Sequence, residues 1–381
     1  MMMNMSTDND IYQEIRPYND EEIAPAIRRL IDDEEFISAI LNYKFTNHAK
    51  WFQTLMSPLV KMYLKNRWGK LNSIDSVQIE VEKYLQKALD ATTDNVTVTG
   101  LDKLDQKTPY LFISNHRDIA MDPALVNYGL HNTNHKTVRI AIGDNLLSKP
   151  CATELMKINK SFIVKRSAKG PREMLKTLGL LSSYIKHSLE TGNSIWIAQK
   201  EGRAKDGNDF TDPAIIKMIQ LEGRKRKMSF ADYVRSIKIV PVAISYEIDP
   251  CDIAKANELH QKATKGEYQK SEFEDIDSIV TGITGYKGKI NVSFGDVIDG
   301  DIDNPDELAA EIDRQIHDHY KLFPINLLAS GDEANSEIDQ DTRDKFEAKL
   351  AQLDEGARQY LIDGYANPVR NLSKDSSMKV A

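Results

Sequence analysis

A chain of 381 residues with 41% hydrophobic and 28% charged side chains has the length and composition of a globular protein with a sizeable core. Its 58 acidic against 50 basic residues give a formal charge of -8, which argues against nucleic acid as the main partner without excluding local basic patches. Only Cys151 and Cys251 occur, which excludes a disulfide scaffold or a zinc knuckle and suits a reducing, cytoplasmic setting.

The first twenty residues, MMMNMSTDNDIYQEIRPYND, lack the apolar core of a signal peptide. No run reaches the ~18 to 20 apolar residues of a spanning helix, so a soluble or peripheral protein is expected. From Ile11 to Thr92 the pattern is helical, with Ile23, Ile27, Leu30 and Ile31 at spacings of three and four. Within it, WFQTLMSPLVKMYLKNRWGK (Trp51 to Lys70) interleaves aromatics, Met56, Leu59, Val60, Met62 and Leu64 with Lys61, Lys65, Arg67 and Lys70. Such a helix either packs one face on its own protein or lies in a membrane interface, and packing is the commoner use.

From VTVTG onward, strands and helices alternate. The expected strands are VTVTG, YLFIS, VRIAIG, SFIVKR, SIWIAQ, IKIVPVAIS and KINVSFG. Between them lie helical patterns at Pro123 to Leu130, Leu146 to Ile158, Pro171 to Leu189 and Pro213 to Leu221, the last with Asp212 as N-cap. Further helices are expected at Pro250 to His260, Pro305 to Tyr320 and Asp341 to Tyr365. Pro241, inside an apolar strand, marks an expected edge or bulge. The fold class is therefore α/β: a mixed, largely parallel sheet covered by helices, with an N-terminal helical region and an appended C-terminal helix. The expected domains are 1–92, helical; 93–328, α/β; and 329–381, comprising a polar linker ASGDEANSEIDQD (Ala329 to Asp341), a helix and a loose tail.

YLFIS reads as a buried strand, so Asn115 and His116 fall just past its C-terminal end, where α/β sheets place their sites. Asp118 follows by two residues and Asp122 by six. A histidine can take the proton of a substrate hydroxyl if a carboxylate fixes its tautomer and stabilises the imidazolium. Asp122 also has a structural use, as N-cap ahead of Pro123 at the first helical position, and a histidine near aspartates in a loop is often incidental. Metal binding by His116, Asp118 and Asp122, or by His131 and His135, has no His-Glu-x-x-His pattern behind it, so neither metal nor cofactor is expected. There is no Gly-x-Ser-x-Gly elbow and no Gly-rich phosphate loop. Two basic loops also follow strands: Lys165 and Arg166, before a helix near Pro171, and Lys200, Glu201, Gly202, Arg203 and Lys205. Cations beside a helix N-terminus suit a phosphate, although each loop taken singly also reads as a solvated turn.

The order of these stretches resembles the glycerolipid acyltransferase family, which includes glycerol-3-phosphate and lysophosphatidate acyltransferases. SNHRDIAMD is similar to its Asn-His-x4-Asp block and SFIVKR to its Phe-Ile-x-x-Arg block. QKEGRAKDG is similar to its Pro-Glu-Gly-Thr-Arg block and IVPVAIS to its last, proline-containing block, so the resemblance covers roughly Val96 to Tyr246. It implies that His116 is the general base deprotonating an acceptor hydroxyl that attacks an acyl thioester, carried by coenzyme A or acyl carrier protein. It further implies that Arg166, with Lys165 beside it, binds the phosphate of a glycerophosphate or lysophospholipid acceptor, while Glu201 and Gly202 shape that site and Arg203 is a second phosphate ligand.

Two departures stand out. Five residues, not four, separate His116 from Asp122, with Met121 where the aspartate would stand. Either the loop bulges and Asp122 reaches the imidazole, or Asp118 replaces it; the place of Asp122 immediately before the helix favours Asp122. Arg203 directly follows Gly202, where the family has a residue in between. The implied function is transfer of a fatty acyl group to a glycerophosphate-type hydroxyl in phospholipid biosynthesis. The alternatives are another lipid or amine acceptor, or a catalytically silent lipid-binding member. A lipid acceptor has to be reached without a spanning segment, so approach to an anionic membrane face is expected through the amphipathic Trp51 to Lys70 and through Arg224, Lys225, Arg226 and Lys227 of EGRKRKMSF.

Overall fold

The computed structural model describes residues 10–44, 50–147, 149–168, 170–271, 273–332 and 338–378, with side chains except at 43, 44, 50–54 and 373–378. The helical N-terminal elements are α1 (Asp20–Asp32), α2 (Glu34–Lys44), α3 (Lys50–Trp68) and α4 (Ile74–Thr92). There follow β1 (Thr93–Thr99), β2 (Leu111–Ser114), α5 (Met121–Asn132), β3 (Arg139–Gly143), α6 (Pro150–Ile158), β4 (Ser161–Val164), α7 (Pro171–Glu190) and β5 (Ile195–Ala198). Next come α8 (Pro213–Ile219), α9 (Leu221–Lys225), α10 (Phe230–Ile237), β6 (Ile239–Tyr246), α11 (Asp252–Lys265), α12 (Glu274–Thr284) and β7 (Gly288–Phe294). The C-terminal helices are α13 (Pro305–His319), α14 (Pro324–Ser330), α15 (Gln340–Leu350) and α16 (Glu355–Met378). Each expected strand is present, and Asp212 caps α8 by accepting the Ala214 N–H at 2.8 Å.

The chain divides into two compact units that are not consecutive in sequence. The first comprises residues up to Tyr84 together with Arg139–Tyr184. There β3 and β4 pair in parallel, Ile140 opposite Ser161 and Gly143 opposite Val164. The apolar stripe of α1, Ile23, Ile27, Leu30 and Ile31, is buried and packs with Phe36, Ile37 and Leu41 of α2. Three acids in the first turn of α1 suit its positive end, and Glu22 accepts the Asn19 N–H at 2.7 Å. Helix α3 places Met56, Val60 and Leu64, four residues apart, against this core. Its opposite side leaves Leu55, Leu59, Met62 and Tyr63 at 48 to 64% exposure, so the helix both packs and presents an apolar face.

The second unit comprises Leu85–Val138 and the residues from Ile185 on. Its strands run in the order β1, β7, β6, β2, β5, all parallel except the antiparallel pair β6 and β7. This is a mixed, largely parallel sheet covered by helices, and β2 is wholly buried, as its unbroken apolar run requires. Helix α5 lies so close to the sheet that a Cβ at Gly129 would meet Val98 Cγ1 at 3.0 Å and Phe294 at 3.3 Å.

Three local expectations are corrected. Pro241 lies in a central strand, not at an edge, because β6 pairs with β2 on one side and β7 on the other. The Pro241 carbonyl accepts from Gly295 N at 2.8 Å, so its missing N–H also faces the β7 side, just past Phe294 where that ladder ends, and no bond is lost. The single helix expected at Asp341 to Tyr365 is two, α15 and α16, broken where Leu353 turns into the core. Arg358 Nε donates to the Leu350 and Leu353 carbonyls at 3.1 and 3.3 Å, filling acceptors left open at the end of α15. The third concerns the ends: Ala329 and Ser330 belong to α14, 333–337 of the expected linker lie outside the described residues, and α16 continues as helix to Met378.

Candidate active site

The C-terminal ends of β2 and β5 lie side by side in the second unit, Ser114 opposite Ala198, and β6 runs past them on the other side of β2, with Val242 opposite Ser114. Asn115, the first residue past β2, is buried and bonds β6 through both ends of its amide. Its Nδ2 donates to the Ile244 carbonyl at 2.9 Å, and its Oδ1 accepts the Ile244 N–H at 2.8 Å. That stitch fixes the point at which the chain leaves the sheet, and His116 follows.

His116 Nδ1 lies 2.8 Å from Asp122 Oδ2. The same oxygen accepts the main-chain N–H groups of Arg117 at 2.6 Å and Asp118 at 2.9 Å, while Oδ1 accepts the Tyr246 hydroxyl at 2.7 Å. The Asp122 side chain is fully buried and that of His116 is 14% exposed, its ring edge-on to Trp196 at 5.7 Å. Burial, then the neighbouring Asp122, pushes the Tyr246 hydroxyl well above its ordinary pKa, so it stays protonated and donates.

Asp118 has a different job. Its Oδ1 accepts the N–H groups of Ala120 at 2.9 Å and Met121 at 2.8 Å, at the start of α5. The expected N-cap at Asp122 is thereby corrected: the helix starts at Met121 after Ala120, and Asp122 belongs to its first turn. The five-residue gap is taken up in the turn that Asp118 closes, which lets the Asp122 carboxylate bend back beneath the His116 loop. Burial first, and then Asp122, holds the Asp118 carboxyl above the ordinary carboxylate range. Helix α12 packs on this turn, since a Cβ at Gly282 would stand 2.0 Å from Asp118 Oδ2. Lys287, just past α12, is buried, and burial pushes its ammonium down to about 8. It donates to Gly285 O at 2.7 Å and Thr92 Oγ1 at 2.9 Å.

The loop after β5 is tied to the same segment. The Ala204 N–H donates to the His116 carbonyl at 2.7 Å, and the Arg117 guanidinium reaches Asp209 Oδ2 at 2.6 Å and Gly207 O at 3.2 Å. Glu201, Gly202 and Arg203 are thus carried next to His116 along the chain. Glu201 and Gly202 are exposed, Gly202 with φ of 76° in the left-handed region, and Arg203 lies 3.4 Å from Ser278 Oγ of α12. Lys165 and Arg166 belong to the first unit. Lys165 pairs with Glu14, whose carboxyl it holds below the ordinary range. The Arg166 N–H donates to Asp144 Oδ1 at 3.1 Å, and its guanidinium lies over Gly143, where a Cβ would come within 3.0 Å of Cζ.

An imidazole whose Nδ1 faces a carboxylate carries its proton there, and Nε2 then holds the free lone pair. Among the described residues no group of three or more His, Cys, Asp or Glu is placed to hold a metal ion. Tyr246 and Trp196 were not singled out from the sequence, although both stand on apolar strands that end at this edge.

Fold and site together define a histidine and carboxylate pair at the C-terminal edge of a largely parallel sheet, beside the basic loop that follows β5. Residues 95–245 match the model of the Acyltransferase family. Among solved structures the chain is similar to the 1-acyl-sn-glycerophosphate (LPA) acyltransferase, PlsC, from Thermotoga maritima, at 12% identity and a TM-score of 0.39, over 77% of this chain and 91% of that one. No curated protein matches the chain.

Proposed function

We propose that this chain moves a fatty acyl group from an acyl thioester to the hydroxyl of a glycerophosphate-type acceptor, lysophosphatidate or glycerol 3-phosphate. The observation that carries the reading is the 2.8 Å contact of His116 Nδ1 with buried Asp122, inside the segment that matches the acyltransferase model. His116 Nε2 takes the proton of the acceptor hydroxyl as its oxygen attacks the thioester carbonyl, and Asp122 stabilises the imidazolium. The tetrahedral intermediate collapses, the carbon to sulfur bond breaks, and the imidazolium returns the proton to the thiolate. The products are an ester and a free thiol, with no covalent acyl-enzyme.

The test is a matrix of donors, acyl-coenzyme A and acyl carrier protein, against lysophosphatidate and glycerol 3-phosphate. Thiol release that depends on one of these acceptors is expected; release with none of the pairs overturns the proposal. Arg166 is proposed as the acceptor-phosphate ligand. Loss of a charged phosphate contact costs about 1.5 to 3 kcal/mol, so Arg166→Ala should raise the acceptor KM by roughly 10 to 100-fold while the donor KM changes little. Equal effects on both substrates would remove Arg166 from the acceptor site.

For a lipid acceptor we propose peripheral binding at a cytoplasmic membrane face, supported by the exposed Leu55, Leu59, Met62 and Tyr63 of α3. No described helix is long and apolar enough to cross a membrane. The basic run 224–227 is a weaker contributor, because Arg226 pairs with Glu190 and Glu222, and Lys225 lies 3.8 Å from Glu222. In flotation with anionic vesicles, Leu59→Glu with Met62→Glu should therefore reduce binding more than neutralising Arg224 to Lys227. Absence of flotation by the unmodified chain at low salt would exclude this mode of approach.

A further inference from the structure

The peptide group joining Arg117 to Asp118 is held at both ends. Its N–H donates to Asp122 Oδ2, the oxygen on which His116 Nδ1 rests, and its carbonyl accepts from Lys255 Nζ at 2.7 Å. Lys255, on α11, is 4% exposed and also pairs with Asp249. An ammonium is costly to bury, and a methionine of similar length would fill the place at lower cost but could not donate. The chain of polar contacts thus runs from the Lys255 ammonium through one peptide to Asp122 and the imidazole, and such bonds polarise one another.

Helix α16 sets the other end of the chain. The Tyr365 hydroxyl accepts the Asp249 N–H at 3.0 Å and donates to Asp252 Oδ2 at 2.6 Å, and Lys349 reaches the same oxygen at 2.8 Å. Burial works to raise the Asp249 carboxyl, but Lys255 holds it below its ordinary value, so the pair is ionic. The same helix is seated on the loop that holds Arg117. A Cβ at Gly207 would come within 2.4 Å of the Gly364 carbonyl, and Asn367 Nδ2 donates to Asp206 O at 2.7 Å.

We propose that Lys255 is a positioning residue for His116, and that Tyr365 of the C-terminal helix fixes Lys255 through Asp249 and Asp252. These four residues lie outside the 95–245 segment that matches the acyltransferase model, so the matched segment alone does not complete its own site. The proposal deepens the proposed acyl transfer and rests on that reading only for its kinetic arm.

The experiment uses the full chain with Lys255→Met, Lys255→Arg and Tyr365→Phe. The first readout needs no acyl substrate: the downfield proton resonance of His116 Nδ1–H, assigned by its absence in His116→Ala. Lys255→Met should shift it upfield or broaden it away, Lys255→Arg should keep it, and Tyr365→Phe should weaken it. In the kinetic arm Lys255→Met should lower kcat about 10-fold, with both KM values within about twofold, since displacement of a reacting group by an ångström is felt in kcat. Lys255→Arg should recover to within about threefold, and adding Tyr365→Phe to Lys255→Met should cost nothing more. If Lys255→Met does not fold, Lys255→Gln, neutral but able to donate, should fall between the arginine and methionine variants. A wild-type imidazole signal in a folded methionine or glutamine variant, with kcat lowered only in step with the folded fraction, overturns the proposal. A changed signal in a chain that transfers no acyl group would instead sink the proposed function and leave the positioning intact.

Discussion

His116→Ala is expected to lower acyl transfer by at least ~100-fold, and by up to ~10,000-fold, the span of a lost general base. The protein should remain folded, for a reason visible in the site. Removing the ring takes one donor from Asp122 Oδ2, but the Arg117 and Asp118 N–H groups still bond that oxygen and Tyr246 still bonds the other. No buried charge is left unsatisfied, so the large penalty for orphaning a buried carboxylate does not arise. Thiol release measured beside a thermal melt checks both halves. Turnover near the unmodified rate in a folded protein would remove His116 from the chemistry.

The strands were legible because each is an apolar run bounded by polar turns, and His116 could be placed because such a run, YLFIS, ends just before it. The sequence favoured Asp122 over Asp118 as the partner of His116, and the structure places Asp122 there, but the reason differs from the one the sequence offered. Asp122 followed by Pro123 carries the signal of a helix start, yet Asp118 takes that job from four residues upstream of Asp122, and local sequence does not show a side chain bending back. Helix α12 is absent from the elements expected from the sequence, although Ile276, Ile279, Val280 and Ile283 recur at helical spacing. Tyr246, Lys255 and Tyr365 come to the site region from β6, α11 and α16, and Lys165 meets Glu14 across 151 positions. Pairings of that kind are decided by tertiary packing, about which spacing says nothing.

The second large effect separates the two aspartates. Asp122→Asn should cost about 1,000-fold in kcat with little change in fold, whereas Asp118→Asn should stay within about threefold of the unmodified enzyme. Size is nearly unchanged in both, so the difference is charge. An asparagine at 122 can still offer one oxygen to His116 Nδ1, Arg117 N and Asp118 N, and its amide can face a turned Tyr246 hydroxyl; what it cannot do is stabilise an imidazolium in a buried setting. At 118 the side chain serves by accepting two N–H groups at the start of α5, which an amide oxygen does equally well. The Asp118 carboxyl is already held above its ordinary range by burial, so a neutral amide also relieves a desolvation cost. The pair of variants is read together, by kcat for the same donor and acceptor and by melting temperature. A large loss at 118 with near-normal activity at 122 would make Asp118 the carboxylate that serves the imidazole and reduce Asp122 to a structural bridge between Tyr246 and the His116 loop.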